Sequence, residues 1–166
     1  GRRVGLRTSS VTIISDKLGL MDYIAVRATV EDVIDAMWAT DPKERLFVRD
    51  GWPAASCENV AVAVAAMLEE RGLGQWTFVQ ASRPGGLSGH AWLEWQATDG
   101  TVEFSIDPTL HQFAGHRDPF IGDGLTPAAN EFTDVNYRGS IWEWPYLGTE
   151  SQIFRRLIRA VREQVA

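Results

Sequence analysis

The feature that most constrains the fold is an unbroken apolar run, residues 60–68, which holds only valine, alanine, methionine and leucine. The run lies inside a predicted helix of residues 56–71, and Gly72 supplies the stop at its C-terminal end. Such a helix has no polar face and is only about four turns long. It is therefore expected in the middle of a domain, covered by other elements on every side.

Two further helices are predicted, one on each side of this run. The first covers residues 29–39, where apolar residues recur at helical spacing, Thr29 and Asp32 have the spacing of a capping box, and Pro42 follows the end. The last covers residues 150–165, with Thr149 as its N-cap and an apolar stripe that its arginines mostly avoid.

Strand-like runs follow the central helix at residues 76–81, 90–96 and 102–107, and a short strand is predicted at residues 11–14. Residues 108–148 show no clear period, and no strand is predicted there. These elements predict an α+β fold, in which a helical layer packs on an antiparallel sheet of about four to six strands, with the helix that begins near Cys57 against the sheet.

Composition limits the classes of protein to which the chain can belong. Its 166 residues are enough for one domain, and 45% apolar with 23% charged residues is ordinary for a globular protein. We expect residues 1–10 to be a basic arm or linker remnant and residues 11–166 to be a single catalytic domain. A net charge of −6 argues against nucleic acid as the main partner, and one cysteine allows neither an internal disulfide nor a cysteine zinc cluster.

Cys57 falls in the first turn of the predicted central helix. Free backbone N–H groups and the helix dipole favour negative charge there, so the pKa of the thiol is expected to be lowered. The neighbouring Glu58 opposes this effect unless its carboxylate points to solvent. The structural alternative is that Cys57 is simply a small buried apolar residue.

A base and an orienting carboxylate are predicted from the hairpin between the last two strands. With a two-residue turn at Asp99-Gly100, Thr98 pairs with Thr101 and Trp92 lies opposite Asp107.

His90, two residues before Trp92, then lies on the same face as Asp107 and diagonal to it, within hydrogen-bond reach. Cys57, His90 and Asp107 thereby form a predicted set of nucleophile, base and orienter.

The motifs around this set resemble a known superfamily. Cys57 at a helix start, the strand from Gly89 to Glu94 (Gly-His-Ala-Trp-Leu-Glu), and the run Ile106-Asp-Pro-Thr are similar to the transglutaminase-like branch of the papain-like fold, in its small bacterial members. The resemblance covers residues 51–113. It implies a Cys-His-Asp catalytic triad acting on amides, as in proteases, glutamine deamidases, protein cross-linkers and effector toxins.

The sequence indicates less about the cleft around the predicted nucleophile than about the predicted triad. Papain relatives carry a Gln about six residues before the Cys, and Gly51 stands there instead. The Cys57 backbone N–H is one expected oxyanion donor. The Trp52 indole is a candidate for the second, as the resemblance to transglutaminases implies, although Trp52 can equally well pack in the cleft wall. Trp52 and Trp92 are expected to flank the cleft.

The predicted chemistry is cysteine-dependent acyl transfer at an amide of a protein or peptide, through a thioester and without a cofactor. The alternatives are an acyl-CoA-dependent N-acyltransferase and a non-catalytic binding module with a relic triad. His111 and His116 lack a convincingly spaced third ligand, so no metal is expected. No apolar run reaches about 18 residues, so no membrane partner is expected. An immunity or precursor partner, and localisation in the cytoplasm or within a larger delivered chain, are left open.

Overall fold

The computed structural model describes residues 23–86, 88–149 and 152–166. Within these ranges the fold has three α-helices and five β-strands. The helices are α1 (Tyr23–Ala39), α2 (Cys57–Glu70) and α3 (Ile153–Val165). The strands are β1 (Thr77–Ser82), β2 (Gly89–Gln96), β3 (Val102–Asp107), β4 (Phe120–Asp123) and β5 (Asp134–Gly139). The predicted strand at residues 11–14 and the basic arm at residues 1–10 lie outside the described residues.

The central helix α2 occupies the position that its sequence predicts. Every residue from Val60 to Leu68 is buried, because α1 and α3 cover two sides of the helix and strands β1 and β2 cover a third. Gly72 follows the end of the helix with φ +74°, a backbone conformation that glycine adopts without a steric penalty. The α+β class, with the Cys57 helix packed on an antiparallel sheet, is therefore confirmed.

The five strands form one antiparallel sheet in the order β4-β3-β2-β1-β5. The three helices pack on one face, where Phe78, Leu93 and Ile106 belong to the main core. On the other face, Trp92 packs in a second, smaller apolar cluster with side chains from the segment of residues 110–132. The sheet therefore lies between a helical layer and a layer of loops and short 3-10 turns.

The turn between β2 and β3 differs from the prediction. Ala97 N–H donates to Thr101 O at 2.8 Å, so the loop has three residues, and its last residue, Gly100, takes φ +89°. The pairing of Thr98 with Thr101 was therefore wrong. A bulge at Glu103, between the pairs Trp95↔Phe104 and Gln96↔Val102, then compensates for the longer loop.

The strand register beyond this bulge agrees with the prediction. Leu93 pairs with Ile106, and Glu94 pairs with Ser105. The longer loop and the bulge at Glu103 therefore cancel each other. The start of β2 and the end of β3 keep the pairing that a hairpin with a two-residue turn predicts.

Helix α1 begins six residues earlier than predicted, and the proposed capping box does not exist. Thr29 is buried inside the helix, where its Oγ1 donates to Ala25 O at 2.8 Å and accepts from Arg71 at 3.0 Å. Asp32 pairs with the same arginine at 2.9 Å. Both residues therefore tie α1 to the end of α2 and do not cap a helix.

Thr149 and the segment of residues 108–148 also depart from expectation. The Thr149 hydroxyl donates to Tyr146 O at 3.1 Å and makes no helix cap, and α3 begins at Ile153. The predicted first residue of this helix, Glu150, lies outside the described residues. Strands β4 and β5 form at the two edges of the sheet, in a segment for which no strand was predicted.

Candidate active site

A buried imidazole–carboxylate pair links β2 and β3. His90 Nε2 and Asp107 Oδ1 are 2.8 Å apart, and both side chains have 0% exposure. The diagonal contact across the hairpin is therefore confirmed. A carboxylate accepts hydrogen bonds only, so Nε2 carries the proton in this contact.

The other ring nitrogen of His90 is available to accept a proton. With the proton on Nε2, Nδ1 of a neutral imidazole has a free lone pair. Nδ1 is buried and has no hydrogen-bond partner among the described residues. An uncompensated buried polar atom is costly in a purely structural setting, and such atoms recur at catalytic positions. This nitrogen is therefore the candidate general base.

Cys57 is the first residue of α2. The chain enters the helix through Ala55, which has a left-handed φ of 62°, and Ser56, whose Oγ donates to Val48 O at 3.0 Å. Because Ser56 turns its hydroxyl away, its side chain does not cap the first-turn N–H groups. The backbone N–H of Ala91, the residue that follows His90 on β2, lies near enough to the Cys57 thiol to act on its pKa.

The pKa of the Cys57 thiol is raised to about 12, which contradicts the expected lowering. Burial is the largest cause, and the negative charges of Glu58 and Asp107 add to it. Hydrogen bonding from the backbone N–H groups of Ala91 and Glu58 acts in the opposite direction but does not outweigh burial. At rest, this cysteine is therefore a neutral thiol.

Glu58 does not point freely into solvent. Its carboxylate accepts a hydrogen bond from Gln80 of β1, and burial raises its own pKa although this hydrogen bond lowers it. The carboxylate is thus held beside Cys57, where its charge disfavours the thiolate. Glu58 was expected to oppose ionisation of Cys57 unless its carboxylate pointed to solvent, and the structure shows that it does not.

Residues around the base were not found from the sequence. Thr126 donates from Oγ1 to Asp107 Oδ2 at 2.7 Å. The His90 ring is packed against Phe113 and Phe132, with ring centroids 4.8 and 5.4 Å apart. Phe113 ends the stretch that the family resemblance covers, whereas Thr126 and Phe132 come from residues 114–148, which have no regular sequence pattern that could have indicated their positions.

Trp52 and Trp92 were expected to flank a cleft, but both pack against other aromatic rings. Trp92 is 1% exposed, stacks near the His90 ring at 5.7 Å, and donates from Nε1 to Glu94 Oε2 at 2.9 Å. It therefore lies beside the His90 ring in the packed interior and does not line an open cleft. Trp52 packs edge-on against Trp38 and Phe47, which favours the wall-packing alternative over an oxyanion donor.

A surface groove of about 1170 Å³ runs beside the start of α2. Two of its lining residues lie near Cys57. Glu58 follows Cys57 in α2, and Gln80 pairs with Ala91 in the sheet. The rest of the lining is a mixture of polar and aromatic residues, including Asn136, Tyr137 and Tyr146. Glu58, the neighbour of Cys57, lines this groove, whereas Cys57, His90 and Asp107 are not among its lining residues.

The remaining histidines are not arranged as a metal site. His116 Nε2 bonds Glu131 Oε2 at 3.2 Å, and the pKa of His111 is lowered chiefly by burial. Among residues 23–86, 88–149 and 152–166, no group of three or more potential ligands is placed to hold an ion. Within the same ranges, no helix has the length and apolar character needed to span a membrane.

Comparison with known proteins gave no relative. No family model, no curated protein and no solved structure matches this chain. The interpretation of the site therefore depends on its own geometry.

Proposed function

We propose that the chain is a thiol acyltransferase or amidohydrolase of papain-like or transglutaminase-like fold, with Cys57, His90 and Asp107 as its triad. The observation that carries the proposal is the buried 2.8 Å contact between His90 and Asp107, in which Nδ1 of His90 has no hydrogen-bond partner among the described residues. The charge of Asp107 is also near enough to Cys57 to raise the pKa of its thiol. Covalent chemistry at an amide requires a nucleophile, a base that takes its proton and a group that orients the base. Cys57, His90 and Asp107 are proposed to take these three roles.

The first half of the proposed reaction forms a thioester. Nδ1 of His90 accepts the thiol proton as the sulfur of Cys57 attacks the carbonyl carbon of an amide. The resulting oxyanion is stabilised by N–H groups at the start of α2, the Cys57 N–H first among them. His90 then returns the proton to the nitrogen of the leaving amine or ammonia, and the C–N bond breaks. Asp107 holds the imidazole in the required tautomer and stabilises its charged form.

The second half of the reaction transfers the acyl group. Water attacking the thioester gives peptidase or glutamine deamidase activity, and an acceptor amine gives transglutaminase activity. In each case Nδ1 of His90 takes a proton from the incoming nucleophile, the C–S bond breaks, and His90 returns that proton to the departing sulfur to regenerate the thiol. No organic cofactor or metal is needed in any of these steps.

The substrate that best fits the surface is a polypeptide. The groove beside Glu58 is lined by aromatic rings that bury flat or aliphatic stems, together with carboxylates of Glu58 and Asp50. With a net charge of −6, the chain favours neutral or basic polypeptide over acidic peptide or nucleic acid. A peptide bond or a glutamine side chain is the proposed reacting amide.

A second candidate, a non-catalytic module with a relic triad, is favoured by one observation. The Cys57 pKa of about 12 means that the resting site has no preformed thiolate. A relic site would keep the His90–Asp107 contact for structural reasons and would never transfer a proton to Nδ1.

Substitution of Cys57 separates these candidates. In Cys57→Ala and Cys57→Ser, turnover of candidate proteins, measured as ammonia release or mass change, should disappear while circular dichroism stays that of wild type. Residual activity within about tenfold of wild type, ~1.4 kcal/mol in barrier, would exclude covalent catalysis by this thiol.

The acyl-CoA alternative needs its own test, because a groove of about 1170 Å³ also has room for a small-molecule donor. Intact-mass measurement of wild type after incubation with acetyl-CoA should reveal no acetylated Cys57. Efficient acetylation, absent from Cys57→Ser, would replace the polypeptide proposal with an N-acyltransferase.

A further inference from the structure

The carboxylate of Asp107 is held at both of its oxygens. Oδ1 contacts His90 Nε2 at 2.8 Å, and Oδ2 accepts a hydrogen bond from Thr126 Oγ1 at 2.7 Å. Thr126, like Asp107, has 0% exposure. Because solvent does not reach this position, water cannot replace the hydroxyl as a donor without entering the packed layer.

The second hydrogen bond has a directional consequence. A carboxylate bonded at one oxygen can rotate about its Cβ–Cγ bond and present either oxygen, or neither, to the imidazole. A donor fixed on Oδ2 removes that freedom and leaves Oδ1 aimed at Nε2. Outer partners of this kind orient the groups that do chemistry, and their loss commonly lowers activity by 10- to 100-fold in metal sites, where the effect is best measured.

The backbone fixes Thr126 itself. Thr126 precedes the 3-10 turn Pro127–Asn130 and accepts a hydrogen bond from Ala128 N at 3.4 Å, so one hydroxyl caps this turn and bonds Asp107. The donor is therefore attached to a local structure whose own geometry restrains the hydroxyl.

We propose that Thr126 is a positioning residue for the His90–Asp107 pair, acting through the Asp107 carboxylate. The effect of Thr126 on catalysis rests on the proposed function. Its effect on the geometry of the His90–Asp107 contact does not, because that geometry can be measured without any turnover. No sequence motif indicates this role, since Thr126 lies 19 residues after Asp107 in the irregular segment.

Two substitutions separate the hydroxyl from the shape of the side chain. Thr126→Val keeps the branched shape and removes the donor. Thr126→Ser keeps the donor and removes one methyl group. We expect Thr126→Val to lower kcat by about tenfold, the effect of losing one hydrogen bond to a charged group, with KM unchanged. Thr126→Ser should remain within about threefold of wild type.

Ser105 offers a matched control in the same pair of segments. Its Oγ donates to Gly124 O at 2.7 Å and the residue is fully buried, so Ser105→Ala also removes a short buried hydroxyl contact between β3 and the residues near 126. This contact does not involve the Asp107 carboxylate. Ser105→Ala should lose stability to a similar degree and keep wild-type kcat.

The contact itself can be read by proton NMR of the His90 Nε2–H, which resonates far downfield when it donates to a carboxylate. We expect this resonance in wild type, Thr126→Ser and Ser105→Ala, and its shift or loss in folded Thr126→Val. A Thr126→Val variant with both the wild-type resonance and wild-type kcat would overturn the proposal. If turnover survives in Cys57→Ser, the proposed function fails, and the resonance alone then decides whether Thr126 positions the pair.

Discussion

Alkylation of native Cys57 is expected to be slow at neutral pH. Burial and Glu58 raise the pKa of the thiol from 9.0 to about 12, which lowers the thiolate fraction by about a thousandfold, ~4 kcal/mol. The helix dipole that acts in the opposite direction is worth about 0.3–2 kcal/mol. The first effect is larger, so position at a helix start does not by itself activate this cysteine.

The assay compares iodoacetamide alkylation of folded and denatured protein across pH. Only the thiolate reacts, so the denatured chain should follow an ordinary thiol pKa of about 9, while the folded chain reacts far more slowly at and below that pH. Glu58→Gln removes one cause of the raised pKa. At about pH 8.5 it should speed folded-state alkylation by roughly fivefold, the effect of about 1 kcal/mol.

Glu70→Gln is the matched control for charge. It removes the same charge from the last residue of the same helix, where Glu70 pairs with Arg162 at 2.7 Å. At the far end of a helix roughly 20 Å long, the charge is screened from Cys57 by solvent and salt. Rapid alkylation of folded wild type near pH 6, with no effect of Glu58→Gln, would refute the reasoning and indicate a preformed thiolate–imidazolium pair.

Three other predictions concern the triad, its titration and the sheet beside it. His90→Ala should abolish turnover by removing the base, whereas Asp107→Asn should leave a misoriented imidazole and a smaller defect, both read as kcat. Relative to Cys57→Ser, the free energy of unfolding of wild type should fall from about pH 9 upward, because the folded chain keeps a thiol proton that the unfolded chain has released. Arg138→Met should lower the free energy of unfolding by about 2 kcal/mol in urea titrations, because it leaves the fully buried Glu94 without its cation.

Each of these has a contrary outcome. Equal defects in the His90 and Asp107 variants would indicate that Asp107 does more than orient the ring. Parallel stability curves for wild type and Cys57→Ser up to about pH 11 would contradict a raised thiol pKa. Arg156→Met, which breaks the exposed pair with Glu44, should cost at most about 0.5 kcal/mol. A cost for Arg138→Met as small as this control would mean that Glu94 is satisfied without its arginine.

Local sequence patterns predicted the elements that carry Cys57, His90 and Asp107. The apolar run at residues 60–68 identified the buried helix, and the two runs of alternating character identified β2 and β3. The loop between the strands was one residue longer than expected, yet the register at Leu93 and Ile106 was correct. Burial of one face of the hairpin determines that register, since a slip by one residue would expose the core side chains.

Other elements could not be predicted because their stability comes from distant contacts. Strand β4 has four residues of mixed exposure and β5 is mostly exposed, so neither has a clear alternating pattern. They form because the edges of an existing sheet offer unpaired backbone groups. The early start of α1 has a similar origin: Tyr23 packs edge-on against Phe104 of β3.

The sequence by itself therefore determined the central helix, the hairpin and the approach of His90 to Asp107, because helical and strand periodicity act over a few residues. Only the tertiary structure decided the protonation state of Cys57, the burial of Trp92 beside the His90 ring, and the hydrogen bond from Thr126 to Asp107. Each of these depends on how much solvent remains around a group once distant segments have packed. Solvent exclusion is a property of the assembled layers, and no short stretch of sequence encodes it.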